Sequence, residues 1–536
     1  MKVSTLLVSV LPLLAASRNI LHIQIDDLRT EVGPYVSTHV IHTPNLDALA
    51  EKAVVFDRAY AQQALCNPSR ASYMTGRRPD TTEIWNLNDN WRTAHQTWTS
   101  LPGMFLEAGM KALGCGKTYH DTVQNGLWDA LFEYDGFRSW SPESLPYRNP
   151  GWTQGVNYAG CPHPHTDIGR WGGNVTVQWC VKKEGDMTDV VTVNHAIELL
   201  NNAAAAAAAA ASAAAAAAKN GTAGENASFY LAVGFHKPHL PWIAKQEHYD
   251  LYPLSEISVA NQKTLEGTEI PEIAFQDCDS PTPYEPLTDE DARIARRAYY
   301  AAVTGMDEQL GRLLKALEDS GVAEDTAIVL HGDHGWQLGE RGMWSKNTNW
   351  EPAVRVPLMI AVPWLPESAG TRNDELAELV DLMPTMAELV GIDVPGKKFG
   401  DREAPIEGIS LVPSLMGTKE KVKVAAFSQY PRSPRNMTEP WAHNSVDHKE
   451  AEDFLYMGYS VRVDEWRYTE WYPFDGATKK AKFDEGVYAR ELYDYRGVVS
   501  QFIDYDKVEN ENVAEREENV AVVSELSAVL MKQFNK

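Results

Sequence analysis

The sequence predicts an α/β fold, with a large, mainly parallel sheet sandwiched by helices and a smaller C-terminal α+β part built on an antiparallel sheet. Three observations point there. NILHIQI (19–25), FYLAVGF (229–235) and TAIVLHG (326–332) are short β-rich runs, continuous enough to be buried on both faces. Helical patterns alternate with them, such as TPNLDALAEKA (43–53) and the stretch 291–321. In the latter, Tyr299, Val303, Met306, Leu310, Leu313, Leu314 and Leu317 recur at three- and four-residue spacing. Strands alternating with helices imply a sheet covered on both sides. The pattern then changes. KVAAFSQY, YMGYSVRVDEWRYTEWY and ARELYDY are aromatic β-type runs, and VAVVSELSAVLMKQF is a closing helix.

In chain order, residues 1–17 read as a secretory signal peptide: one Lys, an apolar run from Leu6 to Leu14, then Ala15, Ala16 and Ser17. The run is too short to span a bilayer, and no later segment is apolar enough to do so. The expected mature chain starts near Arg18, with a catalytic α/β domain over 18–417 and a C-terminal subdomain over 418–536. Sequons begin at Asn174, Asn220, Asn226 and Asn436, in keeping with a glycoprotein of the secretory pathway, secreted or held in a lysosome-like compartment. Of five cysteines, Cys161 and Cys180 flank a Pro/Gly/His-rich stretch that a bridge would staple, whereas Cys115 and Cys278 read as free. Residues 203–218 are alanine except for Ser212. They have strong helix propensity and no amphipathic face, as expected of an insert that lengthens a surface helix.

The 536 residues carry a formal net charge of −25, which argues against a nucleic-acid binder or a protein held on anionic membranes. Any anion site must be a local cationic pocket that overrides this field.

Several strands run straight into charged clusters. NILHIQI ends in Asp26-Asp27-Leu28-Arg29, FYLAVGF in His236-Lys237-Pro238-His239, and TAIVLHG in Asp333-His334. Ligand chemistry collects at the C-terminal edge of a parallel sheet, so these endings describe one site assembled from distant sequence. Adjacent aspartates in a regular strand point to opposite faces. Asp26 and Asp27 therefore converge only if the chain leaves strand geometry there. With Asp333 they offer the hard oxygen ligands that suit Ca²⁺ or Mg²⁺, and His334 adds an imidazole. A lone Asp-Asp after a strand is more often a solvated turn; the equivalent Asp333-His334 ending reverses that preference.

Cys66-Asn67-Pro68-Ser69-Arg70 opens a second cluster. Asn67 is expected as N-cap, Pro68 at the first helical position and Gly76 as the stop, which puts Cys66 at a helix N-terminus where an anion is favoured. A buried cysteine and a thiolate nucleophile are the simple alternatives. A soft sulfur is a poor partner for a hard cation held by aspartates, and oxygen would suit that position better.

The string Cys66-Asn67-Pro68-Ser69-Arg70, followed by ASYMTGRRPDTT and preceded by DDLR, resembles the Cys-x-Pro-Ser-Arg signature of type I sulfatases. There the cysteine is oxidised to formylglycine during secretion, by a formylglycine-generating enzyme. The resemblance spans essentially the whole mature chain and is nearest the iduronate-2-sulfatase branch, through AYAQQALCNPSR, GKTYH, LAVGFHKPHLPW, GDHGWQLGERGMWSK and ELVDLMPT. It implies that Asp26, Asp27, Asp333 and His334 hold one divalent cation, usually calcium, which modified Cys66 also touches. It further implies that Arg70, Lys117, His120, His239 and Lys346 surround the sulfate. Arg and Lys donors with a cation stabilise charge spread over the sulfuryl oxygens. In the implied mechanism a hydroxyl of the formylglycine hydrate attacks sulfur with Asp333 as base. His239 and Lys346 protonate the leaving oxygen, and His120 takes the proton whose loss expels sulfate. His236 reads as a structural neighbour.

The implied substrate is a sulfated carbohydrate, a 2-O-sulfated uronic acid in a glycosaminoglycan. An algal or other marine sulfated polysaccharide is the alternative. The sequence departs from that branch at Asp121 after His120, in the polyalanine run, and in the loop between Cys161 and Cys180. These departures bear on the substrate, not on the reaction. Two rivals stand beside it. One is a phosphate or phosphonate monoester hydrolase, which an extra His/Asp cluster would favour. The other is an inactive glycan-binding homologue with unmodified Cys66.

Overall fold

The computed structural model describes residues 18–36, 40–120, 170–171, 175–176, 179–181, 187–219, 227–261, 267–276, 284, 286–395, 405–417, 421–434, 437–440 and 444–535. The expected signal peptide, Asp121, the four sequon asparagines, the Cys161–Cys180 pairing and Cys278 lie outside the described residues.

Eight strands form the main sheet: β1 (Asn19–Ile25), β2 (Val54–Tyr60), β3 (Lys111–Gly116), β4 (Phe229–Phe235), β5 (Thr326–Gly332), β6 (Arg355–Val356), β7 (Leu358–Ala361) and β8 (Thr371–Glu378). Their order is β6-β2-β7-β5-β1-β4-β3, with β8 also paired to β2. β3, β4, β1 and β5 are neighbours joined in parallel. β7 pairs antiparallel with both β5 and β2, and β6 antiparallel with β2, while β8 runs parallel to β2. The sheet is thus mainly parallel with two reversed strands.

Period-two geometry sends the side chains of each strand to two apolar layers. Leu21, Ile23 and Ile25 join Leu231, Val233 and Phe235 in one. There they meet α1 (Pro44–Ala50), α3 (Thr188–Lys219) and α4 (Asp289–Asp319). Ile20, Tyr230, Ala232 and Val329 belong to the other, which packs on α2 (Cys66–Thr75) and α5 (Leu382–Val390). α4 presents the predicted stripe, with Tyr299, Val303, Met306, Leu310, Leu313 and Leu317 buried. Its N-cap Thr288 accepts from the Asp291 amide at 3.2 Å, and three acidic residues occupy the first turn, where the helix dipole favours them. The polyalanine run continues α3, and from Ala205 through Ala214 it buries no residue, as its lack of an apolar face requires.

A second, antiparallel sheet contains β9 (Ala426–Arg432), β10 (Tyr456–Arg462), β11 (Trp466–Asp475) and β12 (Lys480–Ala481), with β13 (Ala489–Asp494) also paired to β11. The closing helix α6 (Val520–Phe534) packs on it through Leu526 and Leu530. The same apolar cluster takes in Leu65 and Trp85, from either side of α2. The segment carrying Cys66 is therefore held between the two sheets.

Candidate active site

β1, β4 and β5 lie side by side, so their C-terminal ends deliver Asp26-Asp27, His236–His239 and Asp333-His334 to one place. β3, next to β4, brings Lys117. Asp27 has φ +59°, the left-handed turn needed for two consecutive carboxylates to leave the strand toward a common point. The turn is pinned. The Asp27 amide donates to Asp333 Oδ1 at 3.0 Å, the Tyr299 hydroxyl donates to the Asp27 carbonyl at 2.8 Å, and the Asp333 amide donates to the Ile25 carbonyl at 3.1 Å.

α2 begins at Cys66 itself, and Leu65 precedes it in extended conformation without a side-chain cap. Asn67 is therefore not the N-cap expected from its type. Its amide instead donates to the carbonyls of Asn86 at 2.9 Å and Asp89 at 2.7 Å, tying the helix start to the following loop. Gly76 ends the helix at φ +66°, as predicted. One turn into α2, Arg70 donates through Nε (3.1 Å) and Nη2 (2.9 Å) to Asp333 Oδ2 and through Nη2 to Asp26 Oδ1 at 3.3 Å. Its Nη1 holds the Lys117 carbonyl. Ser69 Oγ donates to the Asp333 carbonyl.

Cys66 Sγ is fully enclosed by this frame. It lies 2.9 Å from Lys346 Nζ, 3.4 Å from His334 Nε2, 3.5 Å from Asp26 Oδ1 and 3.7 Å from Lys117 Nζ. Lys346 also donates to Asp27 Oδ1 at 2.8 Å, and Lys117 to Asp26 Oδ2.

Asp26, Asp27, Cys66 and His334 each turn one potential ligand atom into a cluster no more than 4.8 Å across. Asp333, the remaining expected carboxylate, lies beside the cluster, its Oδ2 3.6 Å from His334 Nε2. Arg70 holds one of its oxygens, and the amides of Asp27 and His334 hold the other. His334 Nδ1 donates to the Gly335 carbonyl at 2.9 Å, which leaves the Nε2 lone pair facing the cluster. Burial, only partly countered by Asp333, takes this imidazole down to about 4, so it is neutral and able to ligate. Asp27 Oδ2 is buried without a hydrogen-bond partner. Burial, reinforced by Asp26 and Asp333 and opposed by Lys346, raises the Asp27 carboxyl to about 7. A crowded set of hard oxygens with an unsatisfied acceptor fits a divalent cation such as Ca²⁺ or Mg²⁺.

The remaining expected residues differ in position. His239 is partly exposed at the rim. Its Nδ1 donates to the Leu240 carbonyl at 2.6 Å, and Nε2 faces Asp27 at 3.9 Å. His120 is buried after β3. Burial, with Lys117 adding, lowers both imidazoles well below the ordinary histidine value, so each is neutral and can accept a proton. Burial would raise the Asp26 carboxyl, but the charged Lys117 and Arg70 hold it well below the usual range. The amides of His236 and Lys237 donate to the Asp189 carboxylate at 2.8 and 3.0 Å.

Sequence reasoning missed Asp189 and Ser69 as supports of the site. Ser69 lies inside the Cys66 motif and was visible there, whereas nothing near Asp189 signals its contact with a turn some fifty residues on. It also missed a second group of metal-capable side chains, Glu247, His248 and Glu308. Lys245 already occupies that group, 2.7 Å from Glu308 and 3.3 Å from Glu247.

The site is thus a pocket lined by Arg and Lys, built around carboxylates and a cysteine at a helix start. The Sulfatase family model matches residues 18–392, and the chain belongs to that family: it is a sulfuric ester hydrolase. Its particular relatives include iduronate 2-sulfatase of Mus musculus, 31% identical over 92% of this chain and 90% of the relative. Iduronate 2-sulfatase of Homo sapiens is 32% identical, again over 92% and 90%. Among solved structures, the phosphonate monoester hydrolase of Agrobacterium radiobacter shares the fold. It has a TM-score of 0.68 at 19% identity, covering 96% of this chain and 95% of the other.

Proposed function

We propose that the protein removes the 2-O-sulfate of a uronic acid in a sulfated glycan, using formylglycine made from Cys66 and one divalent cation, calcium. The observation that carries this reading is the enclosure of residue 66 by two carboxylates, a neutral imidazole and two ammonium groups. In the unmodified chain Sγ stands in for the oxygens of the hydrated aldehyde. Burial pushes the thiol far up, so sulfur itself is not the nucleophile.

Asp26, Asp27 and His334 would hold the cation beside residue 66, with Asp333 as the remaining carboxylate of the set. When bound, the cation supplies Lewis-acid stabilisation of a sulfuryl oxygen and lowers the pKa of a neighbouring hydroxyl. Arg70 and Lys117 offset charge on the transferring group, in a site from which water is largely excluded. Burial would lower the Lys346 ammonium, but Asp27 raises it, so Lys346 is charged and can protonate the leaving sugar oxygen, while the neutral His239 serves substrate binding at the rim. His120, neutral, takes the proton from residue 66 that releases sulfate.

The secretory route, the action of a formylglycine-generating enzyme and a secreted or lysosome-like location belong to the same proposal. No helix among the described residues is long and apolar enough to cross a membrane. The division near residue 418 is likewise proposed. The separate antiparallel sheet supports it, and Leu65 and Trp85 show how intimately the parts are joined.

The test is sulfate release from a heparin-derived disaccharide ending in 2-O-sulfated iduronate, with the aldehyde at residue 66 verified by peptide mass. Release that Cys66→Ala abolishes supports the reading. No release, with an aryl sulfate still hydrolysed, overturns the substrate and moves the search to algal polysaccharides. A phenylphosphonate ester turned over faster than any sulfate would overturn the preference for sulfate.

A further inference from the structure

Lys346 sits on a short stretch of unusual backbone. Its neighbours Ser345 and Asn347 both have positive φ, +68° and +72°, in the left-handed region that non-glycine residues seldom adopt. Such a conformation persists only where the surroundings over-determine it. Asn347 is almost fully buried, and both hydrogens of its side-chain amide are used, one on the Tyr430 hydroxyl and one on Asp447 Oδ1, each at 2.7 Å. Tyr430 in turn donates to Asp447 Oδ1 at 3.3 Å. The Asn347 amide donates to the Ala64 carbonyl at 3.1 Å, two residues before Cys66, and Arg432 Nη2 donates to the Asn347 carbonyl at 2.8 Å.

The segment that carries Asp447 also grips the other side of the site. The Leu87 amide donates to the Asp447 carbonyl at 2.8 Å, and Asn86 Nδ2 donates to the Lys449 carbonyl at 2.9 Å. The Asn86 carbonyl accepts from Asn67, next to Cys66. Residues 447–449 thus join the loop of Lys346 to the loop that anchors the start of α2.

We infer that Asn347 and Asp447 are positioning residues: Asp447, from the C-terminal part of the chain, fixes Lys346 against residue 66 through Asn347. This rests on the reading of Lys346 as a group of the sulfatase site. The C-terminal sheet is then part of the catalytic frame, because the charge of Lys346 is useful only if held within a fraction of an ångström of the reacting atoms.

Asn347→Gly separates the tether from the backbone, since glycine accepts the left-handed conformation and the fold is spared. With an aryl sulfate, kcat is expected to fall about tenfold, with KM unchanged within about twofold, and Asp447→Ala is expected to do the same. In a Lys346→Ala background, neither change should cost anything further. Hydrogen exchange gives a readout that needs no substrate: the amide of Asn347 should lose protection in Asp447→Ala. Unchanged protection overturns the inference whatever the enzyme hydrolyses. An undiminished kcat, or full additivity with Lys346→Ala, overturns it for catalysis. If wild-type protein hydrolyses no sulfate ester, the functional reading fails, and the exchange result alone decides the tether.

Discussion

The Lys346 ammonium stands 2.9 Å from the Cys66 sulfur, in a pocket where burial keeps the thiol protonated. A cation that close does not lower the thiol enough to make a thiolate, since the loss of solvent outweighs it and Asp26 and Asp333 oppose it. Cys66→Ala should therefore abolish sulfate release, by at least about 10³-fold, and protein whose Cys66 remains a thiol should be equally inert. Peptide mass spectrometry paired with an aryl sulfate assay checks both. Turnover by the verified thiol form would remove the argument for oxidation.

Asp27→Asn removes a charge from the cluster that fits a cation. Calcium affinity is expected to drop at least about tenfold, with activity partly restored by excess calcium. Calorimetric titration measures the affinity. Chelation of wild-type protein should also lower its melting temperature, as removal of any ligand specific to the folded state does.

His239 lies at the rim, partly exposed, with Nδ1 donating to the Leu240 carbonyl and Nε2 3.9 Å from Asp27. Its replacement by Ala should raise KM for a sugar sulfate about tenfold and leave a nitrophenyl sulfate within about twofold, because the neutral Nε2 can accept a hydrogen bond from a sugar hydroxyl. Equal losses on both substrates would remove the sugar contact assigned to His239.

The loop bearing Asp333 and Lys346 is fastened at Glu340, which accepts from Arg29 Nη2 at 2.7 Å and from the Leu338 amide at 2.7 Å. Burial would raise this carboxyl, but Arg29 and Arg296 hold it at about 2, against an ordinary 4.5. A depressed carboxyl gives stability that is present above pH 4.5 and is lost as pH falls toward 2. Glu340→Gln should thus cost about 3 kcal/mol at pH 7, with the gap to wild type closing in acid. Urea unfolding at pH 7 and below pH 4 measures it.

Deleting residues 206–212, two turns of the exposed polyalanine helix, should leave kcat unchanged and the melting temperature within about 2 °C. A loss of activity would show that the run does more than lengthen α3.

The strands that carry the chemistry are read correctly from local pattern alone: β1, β4 and β5 occupy the expected segments. The helical stripe of α4 and the stop at Gly76 are legible for the same reason, since each depends on neighbours within a few residues. So is the meeting of Asp26, Asp27 and His334, because these residues follow directly on buried strands that lie side by side. What sequence does not carry is which distant groups share a proton or a charge. Arg70 and Asp333, 263 positions apart, pair through Nη2 and Oδ2 at 2.9 Å. Asn67 reads as a helix cap, yet its amide serves the carbonyls of Asn86 and Asp89. The two reversed strands, the left-handed turn at Asp27 and the link from Asp447 to Lys346 are likewise products of packing. Hydrophobic periodicity and turn chemistry are short-range and are written along the chain. Hydrogen bonds and electrostatic pairings act through space, between residues that only the folded sheet brings together.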